Sequence, residues 1–130
     1  MMHTRRTIMF SVALIGLGTA ESQAEIIVQD MLPGCNAAAT MDQSADNKTF
    51  NDASFCLGLM LGTMQLMSFN CSAIEAGFST PPQLRAEMPP STGAAAQAFV
   101  NWAKENPQAW DNHFVSGAIH AIREAFPCPK

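Results

Sequence analysis

Four cysteines, Cys35, Cys56, Cys71 and Cys128, are the residues of this chain best suited to chemistry. Their spacing contains no Cys-x-x-Cys and no close Cys/His pair, so the ligand pattern of a structural zinc site is missing. No histidine lies close to any of them in sequence, which leaves no cysteine marked as an activated thiolate. An even number of cysteines in a small exported domain forms disulfides, and four allow three connectivities.

Other groupings carry less. His113, His120 and Glu124 fall at i, i+7 and i+11 and share a helix face that could gather a metal. The solvated side of an amphipathic helix has the same pattern, and we read it that way, with no metal ligand assigned. Met60, Met64 and Met67 form a thioether stripe that a copper handler could use, but embedded among leucines it reads as core packing. His-Glu-x-x-His, Gly-x-Ser-x-Gly and phosphate-binding glycine loops do not occur. Asn47-Lys48-Thr49 and Asn70-Cys71-Ser72 match the glycosylation sequon, but nothing in the sequence implies the attachment machinery. No catalytic or cofactor-binding residue is assigned.

Whether cysteines pair depends on the compartment. Arg5 and Arg6 precede an apolar stretch from Ile8 to Ala20, and Ser22-Gln23-Ala24 offers the small-x-small pattern of signal peptidase. Residues 1–24 therefore read as a signal peptide cleaved near Ala24, with an apolar core shorter than the roughly 20 residues of a permanent span. Thr4-Arg5-Arg6-Thr7-Ile8-Met9 also resembles a twin-arginine signal, although an ordinary secretory n-region explains it as well. Residues 25–130 then suffice for one domain. Without Arg5, Arg6 and Glu21, the seven basic and eleven acidic residues fall to five and ten, a net charge of about minus five. Such a surface argues against nucleic-acid and anionic-membrane partners.

Helical periodicity dominates the exported part, and no strand alternation or hairpin turn is evident. Glu25 to Leu32 reads as a short helix closed by Pro33-Gly34, with Cys35 just beyond. Asn36 to Asp52 reads as a connecting loop. Ala53 to Phe69 is the most apolar stretch, capped by Asp52 or Ser54, and reads as a central core helix. Its Gly58-x-x-x-Gly62 pair would let another helix approach closely. Cys71 to Pro90, with Gly77, Pro81-Pro82 and Pro89-Pro90, reads as a long surface loop and a candidate binding element.

Thr92 caps a third helix running to Glu105, with Ala96, Phe99, Val100 and Ala103 on its buried face. Asn106-Pro107 stops that helix and starts the last, and Trp102 and Trp110 pack the corner between them. Val115, Ala118, Ile119, Ile122 and Phe126 share one face of the final helix. The expected fold is all-α, a bundle of about four helices stapled by two disulfides. Antiparallel order brings Cys35 near Cys56, and Cys128 near Cys71, so the expected bridges are Cys35–Cys56 and Cys71–Cys128.

Met31-Leu32-Pro33-Gly34-Cys35 and Phe55-Cys56-Leu57-Gly58 with Gly62 resemble the Rap/Tai family of type VI secretion immunity proteins. So do Pro89-Pro90, Gln97, Phe99-Val100-Asn101-Trp102, Asn106-Pro107 and the closing Ala121-Ile122-Arg123-Glu124-Ala125-Phe126-Pro127-Cys128. The resemblance covers most of residues 29–128. Two departures stand out. Met88 occupies the place where members often have a cysteine before the proline opening the third helix, and Leu59 stands where an aromatic is common.

The resemblance implies a periplasmic, non-enzymatic protein, often a homodimer, that binds a secreted peptidoglycan amidase effector and blocks its active site. It implies no cofactor. It does not identify effector-binding residues. The other reading open at this point is a periplasmic stress or chaperone-like protein, or a structural helical protein of unrelated role.

Overall fold

The computed structural model describes residues 25–40 and 46–130. The expected signal peptide of residues 1–24, with its expected cleavage near Ala24, lies outside the described residues. The helices are α1 (Val28–Thr40), α2 (Asn47–Glu75), α3 (Thr92–Glu105) and α4 (Phe114–Ala125), with 3-10 turns at Pro82–Leu84 and Pro107–Ala109. Among the described residues there is no strand, only an isolated antiparallel bridge between Ile27 and His113. This is the expected all-α bundle, and it carries both expected disulfides, Cys35–Cys56 and Cys71–Cys128.

Helix α1 does not stop at Pro33-Gly34 but runs through both to Thr40. An interior proline loses one helix hydrogen bond and costs about 3 kcal/mol. Here Pro33 sits on the exposed side, while Met31, Gly34, Cys35 and Ala38 are buried beside it. Burial of that side and the Cys35–Cys56 bridge offset the penalty. The start of α1 is held from outside. The N–H groups of Val28 and Gln29 donate to the carbonyls of Asn112 (2.9 Å) and Trp110 (3.1 Å), and Phe114 N–H donates to Ile26 (2.8 Å). Donors that a helix cannot satisfy internally at α1 and at α4 are thus paired across the short bridge.

Helix α2 is longer at both ends than expected. Its cap is Asp46, whose Oδ1 accepts from Thr49 N–H at 2.8 Å, so Asp52 and Ser54 fall inside the helix. It also takes up Cys71, expected in the following loop. It is not a fully buried core helix. Cys56, Met60, Thr63, Met64, Met67, Asn70 and Cys71 form an inner face, while Phe50, Phe55, Leu61, Leu66 and Phe69 are exposed. By length and composition α2 is apolar enough to cross a membrane, but core helices pass the same test. With Met60 and Met67 fully buried and Cys56 bridged to α1, its inner side belongs to the core.

Helix α3 is capped by Ser91 rather than Thr92, the Ser91 hydroxyl accepting from Ala94 N–H at 3.0 Å. Its buried face is the expected Ala96, Phe99, Val100 and Ala103, joined by Ala95. Pro107 opens a 3-10 turn instead of the last helix, which begins at Phe114. Trp110 explains the delay: its Nε1–H donates to Ala103 O at 2.8 Å while its own carbonyl caps α1. The buried face of α4 is accordingly turned from the expected one. Phe114, Gly117, Ala118, Ala121 and Ile122 point inward and Val115 outward. Phe114 meets Phe99 edge to face at 4.9 Å.

Gly34 is where α1 comes closest to α2, since a Cβ there would lie 2.6 Å from the Asp52 carbonyl oxygen. The obstacle is backbone and cannot swing aside. Gly34→Ala should therefore destabilise the protein by roughly 1–3 kcal/mol in urea unfolding. Gly58→Ala, with no atom within 4 Å of the added carbon, should be neutral or gain up to about 1 kcal/mol.

The cap of α2 is acid-sensitive. The Thr49 N–H bond holds the Asp46 carboxyl below its ordinary value of 3.8. A depressed carboxyl contributes stability above its unfolded pKa and loses it as pH falls through the lower folded one. Amide protection in the first turn of α2, taken relative to the intrinsic exchange rate at each pH, should therefore fall on acidification below about pH 4. Asp46→Asn, which caps without titrating, should remove that dependence.

Candidate functional site

The residues with chemical potential are dispersed by the fold. His113 precedes α4 and its Nε2 pairs with Glu25 Oε1 at 2.8 Å. His120, one helix segment away, lies parallel to the Trp102 ring at a centroid distance of 6.0 Å, with an Arg123 nitrogen 3.1 Å from its Nδ1. Glu124 stays exposed. Among the described residues no three His, Cys, Asp or Glu side chains converge. Met60, Met64 and Met67 are buried in the core, where their thioethers pack. Asn70 of the second sequon is also buried and donates its amide to Leu66 O at 2.8 Å.

The lining of a shallow recess between α1 and the start of α2 includes Asp30, Lys48, Asp52 and Phe55. Its Asp52 carboxylate is taken by Lys48 at 2.6 Å, and that hydrogen bond raises the lysine above its ordinary value. The pair is exposed, so salt and water screen it. Among the described residues, the surface offers shape for recognition and no cluster of three His, Cys, Asp or Glu side chains.

Two surface features remain. The first is the segment 76–91 between α2 and α3, shorter than the loop expected from Cys71 to Pro90. Gly77 turns it at φ 86°, a left-handed conformation suited to glycine. Phe78 follows, 69% exposed. The rest is tied down. Arg85 Nε donates to Thr80 Oγ1 at 3.0 Å and its terminal nitrogen donates to Thr80 O. Ala86 and Pro89 are buried, and Glu87 N–H donates to Phe126 O at 2.8 Å. Cys71–Cys128 then joins the end of α2 to the tail after α4. An exposed aromatic thus stands on a braced base.

The second feature is the outer face of α2. No charged residue occurs between Asp52 and Glu75, although a water-facing helix side is normally charged. Leu59, Thr63 and Leu66 of α2 with Val115 and Ile119 of α4 line an apolar groove whose floor includes Gly58 and Gly62. Sequence reasoning settled on a central core helix because the whole segment is apolar, and so did not separate this face from the buried one. A signal was present: the sulfur residues Cys56, Met60, Met64, Met67 and Cys71 repeat at intervals of three or four. They share one side and leave Phe55, Gly58, Gly62, Leu66 and Phe69 on the other.

A family model described as Rap1a immunity proteins matches residues 27–128. No curated protein and no solved structure matches the chain. The matched span runs from the residue that opens the Ile27–His113 bridge to Cys128, and so includes all four helices and both disulfides.

The two bridges should contribute unequally. Cys35–Cys56 closes 21 residues and Cys71–Cys128 closes 57, which loop-closure entropy places at about 3 and about 4 kcal/mol. Replacing Cys71 and Cys128 together by serine should lower stability in urea by that larger amount. It should also speed proteolytic cleavage within residues 76–91, as followed by mass spectrometry, because the brace on the loop is gone.

Proposed function

The chain belongs to the Rap1a immunity protein family, and we propose that it binds and inhibits a type VI secretion effector, a peptidoglycan amidase, in the periplasm. The match over residues 27–128 carries this reading. The reading makes the protein a stoichiometric inhibitor without catalysis of its own, acting as a homodimer after removal of residues 1–24. Two disulfides suit an oxidising compartment. A surface on which no such cluster forms among the described residues is compatible with inhibition by occlusion, which needs shape and a rigid base.

The segment 76–91 is the element we assign to the amidase cleft. Phe78 supplies a large apolar anchor, and aromatic anchors dominate binding energy at such contacts. Bracing by Arg85, Glu87 and the Cys71–Cys128 bridge means little ordering entropy is lost on docking.

Cells that produce the candidate amidase in the periplasm should lyse when this gene is deleted and survive when it is restored. Survival of the deleted cells equal to that of the parent would sink the immunity reading. In a purified system the protein should inhibit peptidoglycan cleavage at one chain per amidase, and Phe78→Asp should weaken inhibition at least about thirtyfold with the far-ultraviolet circular dichroism unchanged.

A further inference from the structure

We propose that the Cys71–Cys128 bridge is a redox latch: thiol–disulfide exchange opens it and loosens the segment 76–91, while Cys35–Cys56 keeps the helices together. Only its last step, the effect on the amidase, rests on the reading of that segment as the inhibitory element. Three observations lead to it.

The two bridges differ in access. Cys35 and Cys56 are both 0% exposed, sealed between α1 and α2. Cys71 is buried as well, and Cys128 is the one cysteine of the four that is not. Its neighbours Pro127, Pro129 and Lys130 are all exposed. A disulfide opens when a thiolate attacks one of its sulfurs, so the rate depends on whether the attacker can reach it. The outer bridge meets that condition in the folded protein. The inner bridge meets it only after the bundle opens.

The tail has little else to hold it. Helix α4 ends at Ala125, and Phe126 N–H still donates to Ile122 O at 2.8 Å. Phe126 itself packs against the core. Beyond it, among the described residues, the backbone makes no hydrogen bond. Pro127 and Pro129 flank Cys128 and have no N–H to donate. The bridge is therefore the tie that fixes residues 127–130, and opening it releases them together.

The same tie braces the loop. Glu87 N–H donates at 2.8 Å to the carbonyl of Phe126, two residues before Cys128. On the other side the loop is held to α2 by Ala86 N–H to Met67 O and Thr80 Oγ1 to Asn70 O, at 3.5 and 3.4 Å. Both are long for their type. With the bridge open, the acceptor of the short bond sits at a free helix end, and such ends fray. The core is closed elsewhere: Val28, Met60, Phe99, Phe114 and Ile122 are buried among the four helices, and the inner bridge joins α1 to α2.

The step balances with a dithiol as reductant, in the cell a protein with a Cys-x-x-Cys pair. One thiolate of the dithiol attacks the Cys128 sulfur, forms a mixed disulfide and expels Cys71, which takes up a proton. The second thiolate attacks the reductant's own sulfur, closes the reductant's disulfide and expels Cys128, which is protonated in turn. The bridge gains two electrons and two protons, and the dithiol loses the same. An oxidised dithiol runs the exchange backwards and closes the latch.

The test places the full mature chain in graded ratios of reduced to oxidised dithiothreitol, traps thiols with N-ethylmaleimide and locates them by mass spectrometry. Cys71 and Cys128 should be trapped at least about tenfold faster than Cys35 and Cys56. At that stage the far-ultraviolet circular dichroism should be unchanged, while amide exchange within 76–91 should rise at least about tenfold. The same form should inhibit the amidase at least about tenfold less well, and oxidised dithiothreitol should restore the inhibition. Cys71→Ala combined with Cys128→Ala should inhibit like the reduced form and ignore the reductant.

Trapping of all four cysteines together, or of Cys35 and Cys56 first, overturns the proposal, because the outer bridge then opens only with the whole fold. Selective opening that leaves exchange within 76–91 unchanged overturns it as well. Equal inhibition by the oxidised and reduced forms removes the effect on the amidase and leaves the immunity reading standing. An oxidised chain that does not inhibit counts against the immunity reading instead, and trapping and exchange still decide the latch. If the double variant does not fold, the wild-type measurements decide alone.

Discussion

The contact between α1 and α2 at Gly34 is the constraint on which the rest of the bundle depends. Helix α1 is short, contains a proline, and would not persist alone, since isolated helices of fewer than about 12–15 residues are marginal in water. It is nevertheless packed against both α2 and α3, and its first N–H groups are bound by carbonyls of the connection into α4. Removing a side chain at Gly34 lets the two backbones meet, and Cys35–Cys56 fixes the register next door, with Cα atoms 5.3 Å apart. Once α1 is seated, the Phe99–Phe114 pair and Gly117 beneath Val28 and Trp102 have a surface to close upon. The proline penalty is thus met by tertiary contacts that a local reading of the sequence does not contain.

Helix α2 solves a different problem. One face must be a core and the other faces outward, yet both are apolar. The two are separated by residue type. Methionine and cysteine fill the inner side, where flexible thioethers adapt to the irregular surface offered by α1 and α3. Phenylalanine, leucine and glycine fill the outer side, where Phe55, Leu66 and Phe69 stand exposed. Thr63 and Asn70, the buried polar residues of the inner face, are both satisfied within the helix, by Leu59 O and Leu66 O. The inner face therefore needs no polar partner elsewhere, and the outer face can change without disturbing it.

Much of the architecture was legible in the sequence where a single physical rule decided it. The buried face of α3 follows from spacing alone. The disulfide pairing follows from antiparallel order, although for a corrected reason: Cys35 lies within α1 and Cys71 within α2, not in the loops beyond them. The errors came where two rules competed. Pro33-Gly34 is a helix stop by propensity, and packing overrode it. Ser91 and Asp46 displaced Thr92, Asp52 and Ser54 as caps because a cap is chosen by backbone geometry at the last residue outside the helix, which composition does not reveal. The rotation of α4 followed from Trp110, whose bonds to Ala103 and α1 hold the connection in a 3-10 turn. The outer face of α2 was illegible to a hydropathy reading, since a uniformly apolar segment gives no moment to orient it.

The same anchoring links the two surface features. Ala86 N–H reaches Met67 O at 3.5 Å and Thr80 Oγ1 reaches Asn70 O at 3.4 Å, so the segment bearing Phe78 is tethered to the backbone of the two α2 turns that carry Leu66 and Phe69 outward. A helix is stiff along its axis, and side chains on opposite faces of the same turns move as one body. Whatever holds these turns of α2 still therefore also holds the loop's foundation, without touching the loop. The tail fastened by Cys128 braces it from the other side, so the loop's base rests on α2 and on the end of α4 at once. If the segment enters a cleft as proposed, rigidity at its base favours affinity, because every degree of freedom removed before binding is one not lost during it.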